Sequence, residues 1–181
     1  MTELENIIRE KGYKYIEATK PYSENLINYA RVFDELADIL KEGIKGKKVI
    51  DIGCGNPLNA ENYAKFLMDE IGAESYTGVD AFINNDIERD KIKFIRKDAL
   101  SYLSKQSNES AVVTANGILV KEVISDERYM KSLIKEIYRI VPRDGIFVAV
   151  CVDEPKIIEK QGFRDTFSGN ISHSINIYKK Q

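Results

Sequence analysis

Apolar positions along the chain follow two spacings in turn, which predicts strands alternating with helices from residue 48 onward. Short, mostly β-branched runs predict strands at 48–52, 75–79, 92–96, 111–115 and 146–152. Apolar residues at helical spacing predict helices at 59–71, 99–105, 127–140 and 154–161. This alternation is typical of a mostly parallel α/β sheet with helices on both faces.

The two ends of the chain depart from this alternation. The first 45 residues show helical spacing only, with a capping box that starts at Thr2 and a longer helix, apolar on one face, that ends at Gly43. At the other end, 163–167 and 171–178 predict an antiparallel hairpin. We therefore expect one compact domain in two parts, an N-terminal helical cap or lid (1–45) and a core (46–181).

Composition narrows the class of protein. The chain has 181 residues, and 27 Lys and Arg against 29 Asp and Glu leave no net basic field, so there is no strong nucleic-acid signal. No apolar run is long enough to cross a bilayer and nothing resembles a signal peptide, so we expect a cytoplasmic protein without membrane contact. Two cysteines and one histidine make a metal site improbable.

Residues 49–57, Val-Ile-Asp-Ile-Gly-Cys-Gly-Asn-Pro, carry the most informative chemistry. A buried strand that ends in a Gly-x-Gly turn and leads into a helix is a nucleotide-binding arrangement. Gly53 and Gly55 let the backbone turn sharply and approach a ligand closely. The third glycine of the dinucleotide-binding pattern is missing and Asp51 lies inside the strand. Both facts argue against NAD and favour S-adenosylmethionine.

This segment resembles motif I of the class I S-adenosylmethionine-dependent methyltransferases, and the resemblance extends over roughly residues 45–181. It implies a Rossmann-like, doubly wound α/β fold with a seven-stranded sheet. The implied strand order is 3-2-1-4-5-7-6, with strand 7 antiparallel, and the predicted terminal hairpin agrees with it.

The resemblance also implies where the cofactor binds, because ligands of such sheets lie beyond the carboxyl ends of the strands. The backbone of Gly53, Cys54 and Gly55 would approach the methionine part and the ribose. Asp80, followed by Ala81, would accept hydrogen bonds from the ribose hydroxyls. The remaining implied contacts are Asp98 with the adenine amino group, the N–H of Ala99 with a ring nitrogen, and Asn116 beside the methyl donor.

Each of these residues also has a purely structural interpretation. Asp80 and Asp98 are acids of the kind that cap helices, and Asn116 with Gly117 is a common turn pair. Asp51 either contacts ligand or holds the glycine turn by hydrogen bonds. Other candidates favour packing: Cys54 as a small turn residue, Cys151 as a core residue in a strand, His173 on the hairpin, and Tyr13, Tyr15, Tyr22 and Tyr29 in the cap.

We therefore expect a methyltransferase that moves a methyl group from S-adenosylmethionine to a small-molecule acceptor, leaving S-adenosylhomocysteine. The sequence assigns neither a general base nor an oligomeric state. Two alternatives stay open. One is a protein or RNA methyltransferase that works with a partner subunit and uses a basic face formed by Lys11, Lys14, Lys20, Lys47 and Lys48. The other is a non-catalytic S-adenosylmethionine-binding module.

Overall fold

A computed structural model describes residues 22–170 and 174–181. The predicted capping box at Thr2, the side chains of Tyr13, Tyr15 and Tyr22, His173, and Lys11, Lys14 and Lys20 lie outside what it describes. The helices are α1 (Tyr22–Val32), α2 (Asp34–Ile44), α3 (Pro57–Lys65), α4 (Ala99–Leu103), α5 (Glu127–Ile140) and α6 (Pro155–Lys160). The strands are β1 (Lys48–Ile52), β2 (Ser75–Asp80), β3 (Ile87–Arg89), β4 (Ile92–Arg96), β5 (Val112–Asn116), β6 (Ile146–Val150), β7 (Phe163–Asn170) and β8 (Ser174–Lys180).

These eight strands form one sheet in the order β3-β4-β2-β1-β5-β6-β8-β7. Strands β4, β2, β1, β5 and β6 run parallel, whereas β8 is antiparallel to both β6 and β7. Without β3, this is the order 3-2-1-4-5-7-6, so the predicted fold is confirmed. The additional strand arises because the stretch between Asp80 and β4 is too short for a crossover helix, and it pairs with β4 as an edge hairpin instead.

The cap region differs in detail from the sequence prediction of a single helix ending at Gly43. The helix breaks at Phe33, whose backbone is extended with φ −111° and ψ 103°. Gly43 lies inside α2 and is buried, and a Cβ added to it would collide with the side chain of Ile146 on β6. This glycine therefore permits close packing of the helix on the sheet, and α2 ends beyond it at Ile44.

Two local features define the start of α3, the helix that follows the glycine turn. Oδ1 of Asn56 accepts a hydrogen bond from the N–H of Leu58 at 3.0 Å, and Pro57 occupies the first helical position. After α3 the chain continues as a π-helical segment, Phe66–Ile71, and stops at Gly72 with φ 90°. The Asn56 cap and Pro57 together fix the start of α3 directly beyond the glycine turn.

Two predictions about the last third of the chain need correction. Strand β6 ends at Val150, so Cys151 lies just beyond the strand, with a left-handed backbone (φ 59°). Its partly buried side chain packs against the core as predicted. Gly169 and Asn170 pair with β8 and belong to β7. Residues 171–173, which join β7 to β8 along the chain, lie outside the described residues.

Alternate residues of the strands supply two separate hydrophobic cores, one on each face of the sheet. Val49 packs with residues of α1, α2 and α3, whereas its neighbour Ile50 packs with residues of α4, α5 and α6. None of the helices within residues 22–170 is long and apolar enough to span a membrane.

We expect Gly43→Ala to destabilise the protein by about 1–3 kcal/mol, because the new methyl group collides with Ile146. At an unconstrained helical position the same change would stabilise by about 1 kcal/mol. Urea denaturation measures the difference, and a variant as stable as the wild type would contradict it. Ile146→Val removes the Cδ1 atom nearest to the new methyl group, so it should recover part of the loss in the double variant.

Candidate functional site

The carboxyl ends of four adjacent parallel strands meet at one edge of the sheet. Gly53 follows β1, Asp80 ends β2, Asp98 follows β4 and Asn116 ends β5. The site residues predicted from the sequence therefore come together at the carboxyl ends of β4, β2, β1 and β5, where open α/β sheets bind ligands.

The glycine turn is held against the end of β2. The N–H of Gly53 donates to the carbonyl of Val79 at 2.8 Å, and the N–H of Gly55 donates to Oδ2 of Asp80 at 2.9 Å. Both glycines have positive φ (69° and 70°), which a side chain would strain. A Cβ at Gly55 would meet open space, so a ligand can approach this backbone closely.

The carboxylate of Asp80 is therefore already part of the turn. Its Oδ1 accepts a second backbone hydrogen bond, from Phe82 N at 2.8 Å. The side chain is only partly buried, and burial raises its pKa while these two N–H donors oppose the rise. Each carboxylate oxygen has a second lone pair, so Asp80 can hold the turn and still accept from a ligand.

Asp51 connects three strands beneath the turn. It is only 1% exposed, its Oδ2 accepts from the hydroxyl of Tyr76 on β2 at 2.7 Å, and its Oδ1 accepts from Thr114 and Asn116 on β5 at 2.8 and 2.9 Å. Burial raises the pKa of Asp51 to about 6, and the three donors oppose the rise. These three hydrogen bonds give Asp51 a structural role that joins β1 to β2 and β5, and none of the three goes to the glycine turn itself. Contact of Asp51 with a ligand stays a prediction.

This network fixes the orientation of the Asn116 side chain. An ionised carboxylate only accepts hydrogen bonds, so Asn116 must turn its NH2 group toward Asp51. Its Oδ1 is then buried without a hydrogen-bond partner among the described residues. An unpaired buried carbonyl costs about 1–3 kcal/mol, so this oxygen is suited to accept a hydrogen bond from a ligand or a water molecule.

Asp98 is 1% exposed and caps α4, because its Oδ1 accepts from Ser101 N at 2.8 Å. Its Oδ2 accepts from the hydroxyl of Tyr129 on α5 at 2.7 Å, and the same hydroxyl accepts from Leu100 N at 3.2 Å. The amide of Ala99, the first residue of α4, has no partner in residues 22–170 or 174–181. At this corner the amide of Ala99 still has a hydrogen bond to donate, whereas both oxygens of the Asp98 carboxylate already accept one.

Neither cysteine is arranged as a nucleophile. Burial, with the charges of Asp51 and Asp80, raises the pKa of Cys54 well above its usual value, which disfavours the thiolate. Its Sγ packs against Gly78, where an added Cβ would lie 2.8 Å away. Burial also raises the pKa of Cys151. In the described part of the chain, no three His, Cys, Asp or Glu side chains are grouped to hold a metal ion.

Tyr76, Thr114 and Tyr129 are the site residues that sequence reasoning missed. Thr114 had a usable signal, because it is the polar residue in an apolar strand and lies directly opposite Asp51 in the β1–β5 register. Tyr76 and Tyr129 had none, since each aromatic ring fits the apolar pattern of its own element.

No family model and no curated protein matches the sequence, but solved structures are similar. The N-methyltransferase NodS from Bradyrhizobium japonicum has a TM-score of 0.61 at 11% identity, covering 85% of this chain and 96% of that chain. The 1,6-didemethyltoxoflavin-N1-methyltransferase from Burkholderia thailandensis, solved with S-adenosylhomocysteine, has a TM-score of 0.57 at 10% identity, covering 93% and 94%. The [4+2]-cyclase SpnF has a TM-score of 0.57 at 15% identity, covering 81% and 80%.

At such low identity these likenesses establish the fold, which is that of the class I S-adenosylmethionine-dependent methyltransferases. The cyclase in the same comparison illustrates that this fold also carries other reactions, so activity must be argued from the site.

We expect the stability of the wild type relative to Asp51→Asn to depend on pH. The folded pKa of Asp51, about 6, lies above the unfolded value of about 3.9, so its contribution to stability is full below about pH 4 and is lost as pH rises through 6. Between about pH 5 and pH 7 the wild type should lose about 1 kcal/mol relative to the variant, measured by urea denaturation.

Thr114→Val removes one donor to Asp51 at nearly constant volume. Because that donor lowers the pKa of Asp51, this variant should move the transition to higher pH. A stability difference between wild type and Asp51→Asn that is constant with pH would contradict the assignment.

Proposed function

We propose that the protein is an S-adenosylmethionine-dependent methyltransferase acting on a small molecule. The observation that carries the proposal is the glycine turn itself. Gly53 and Gly55 both have positive φ, the backbone of Gly55 faces open space at the sheet edge, and Asp80 holds this turn while keeping acceptor capacity. Solved structures of the same fold that are methyltransferases support it.

The residues at the edge fit the chemistry of the cofactor. In this proposal the carboxylate of Asp80 accepts from the ribose hydroxyls, and Asp98 and Ala99 border the adenine. The buried Oδ1 of Asn116, which needs a donor, lies at the end of β5. The backbone of Gly53, Cys54 and Gly55, with Ala81 beyond Asp80, lines the remainder. Asp51 takes the positioning role, through Asn116.

Methyl transfer of this kind requires few catalytic side chains. When bound, S-adenosylmethionine supplies a sulfonium methyl group with a neutral thioether as its leaving group. The chain's residues then align the two reactants and exclude water, which accounts for a large part of the barrier reduction in such displacements. We propose residues 1–45 as the lid that completes this enclosure, and of these, α1 and α2 pack on the sheet through Leu26, Leu36 and Leu40.

We expect Asp80→Ala to weaken binding of S-adenosylhomocysteine by about ten- to a hundred-fold, since hydrogen bonds to a charged group contribute about 1.5–3 kcal/mol each. Isothermal titration calorimetry measures the affinity. Asp80→Asn keeps the size of the side chain and should show an intermediate loss, which separates charge from the shape of the turn.

Asp69→Ala is the matched control, because Asp69 is exposed on the π-helical segment and away from the strand ends. It should leave the affinity unchanged. Unaltered affinity in Asp80→Ala would remove Asp80 from the site. Tight binding of NAD with no response to S-adenosylhomocysteine would overturn the proposed function.

The acceptor class can be tested with S-adenosylmethionine labelled on its methyl group. We expect the purified protein to transfer label to the small-molecule fraction of a cell extract, detected by chromatography and scintillation counting. Label in protein or RNA instead would favour the alternative of a macromolecular substrate. Binding of S-adenosylhomocysteine without any transfer would favour the non-catalytic binding module.

A further inference from the structure

A cavity of about 290 Å³ lies between the loop after β5, the start of α5, and the segment that joins β6 to α6. Its floor is apolar and includes Leu119, Ile124, Ile134 and Ile158, each no more than 2% exposed. A cavity of about 150 Å³ holds a benzene molecule, so this one has room for a ring with a short chain. Such a volume suits a small molecule and is at the lower limit for ligand pockets.

The rim of the cavity is predominantly acidic. Glu127, Asp153 and Glu154 line it with a single cation, Lys121, whose Nζ pairs with Glu154 at 2.5 Å. Glu127 pairs with Lys131 on the next turn of α5, also at 2.5 Å. Counting that second lysine, the rim keeps one net negative charge. Its three carboxylates can accept hydrogen bonds from a bound cation, which the two lysine ammonium groups cannot.

One wall of the cavity adjoins the glycine turn. Ile118 packs on Gly53, where an added Cβ would lie 2.7 Å from the Cβ of Ile118, and the next residue, Leu119, lines the cavity. The wall is fixed on its other side by Asp153, whose N–H donates to Leu119 O at 3.3 Å and whose Oδ2 accepts from Lys121 N at 2.7 Å. The cavity is thus next to the proposed cofactor site and at the same edge of the sheet.

We propose that this cavity binds the methyl acceptor and that the acceptor is a small amine with an apolar body, an inference that rests on the proposed function. The apolar part occupies the floor and the rim carboxylates attract the ammonium form. After the ammonium gives one proton to water, the nitrogen lone pair attacks the methyl carbon. The N–C bond forms as the C–S bond breaks, and that electron pair stays on sulfur, giving S-adenosylhomocysteine and the methylated amine.

The test uses the full chain and matched probes with phenylethyl and hexyl bodies, each as an amine, an alcohol and a carboxylate. With S-adenosylhomocysteine present, calorimetry should show that amines bind more tightly than the alcohols and that the carboxylates bind most weakly. Glu127→Gln should weaken amine binding by about two- to five-fold, the range expected for one exposed charge. With labelled S-adenosylmethionine, the amines should become methylated.

Ser125→Trp is designed to fill the cavity from its rim, because Ser125 is exposed and lines it. Ser132→Trp is the control, an exposed serine on α5 away from the cavity. The natural chain has no tryptophan, so a blue-shifted emission in Ser125→Trp alone shows that the indole has entered the cavity. We expect that variant to lose amine binding and methyl transfer while keeping its affinity for S-adenosylhomocysteine.

Equal binding of alcohols or carboxylates, or no binding of any amine, would overturn the acceptor class. Amine binding that survives a filled cavity would overturn the location. In both cases the proposed function still holds if the protein binds S-adenosylhomocysteine. If the wild type does not bind S-adenosylhomocysteine, the proposed function is overturned, regardless of the results with the amines.

Discussion

The buried carboxylate of Asp51 is the constraint on which the site depends. A carboxylate that is only 1% exposed is tolerated only when hydrogen bonds from the protein replace those it would make with water. For Asp51 these donors come from the two neighbouring strands. Tyr76 and Thr114 reach Asp51 only while β2, β1 and β5 keep their register. Because Gly53 follows Asp51 by two residues, the same hydrogen bonds fix the base of the glycine turn.

Much of the fold could be predicted because the signals for it are local. The strands 48–52 and 92–96 and the helix 127–140 have the predicted bounds, since each shows strong periodicity over its whole length. The prediction that Gly43 ends the helix is wrong, because the local rule for glycine carries no information on Ile146, which lies a hundred residues further along. The break at Phe33 could not be predicted, because the apolar stripe of the helix continues on both sides of it.

The candidate site was predictable as a set of positions and not as a set of contacts. Strand ends in the right order nominated Asp80 and Asp98, but the sequence offered ligand binding and capping as alternatives. In the structure both acids bond to backbone amides at the sheet edge. The lone pairs left on a carboxylate allow one residue to serve both purposes, so the two interpretations are compatible. Tyr129 could not be foreseen, because its contact with Asp98 depends on how α5 packs beside α4.

The π-helical segment Phe66–Ile71 has a consequence for the ancestry of the chain. A π turn closes over one more residue than an α turn, so it accommodates an insertion without lengthening the helix by a full step. Phe66, Leu67 and Ile71 all remain buried despite this wider winding. A homologue one residue shorter here would regain ordinary α geometry and keep both the glycine turn and β2 in place. Loss of one residue between Lys65 and Gly72 is therefore expected to be tolerated.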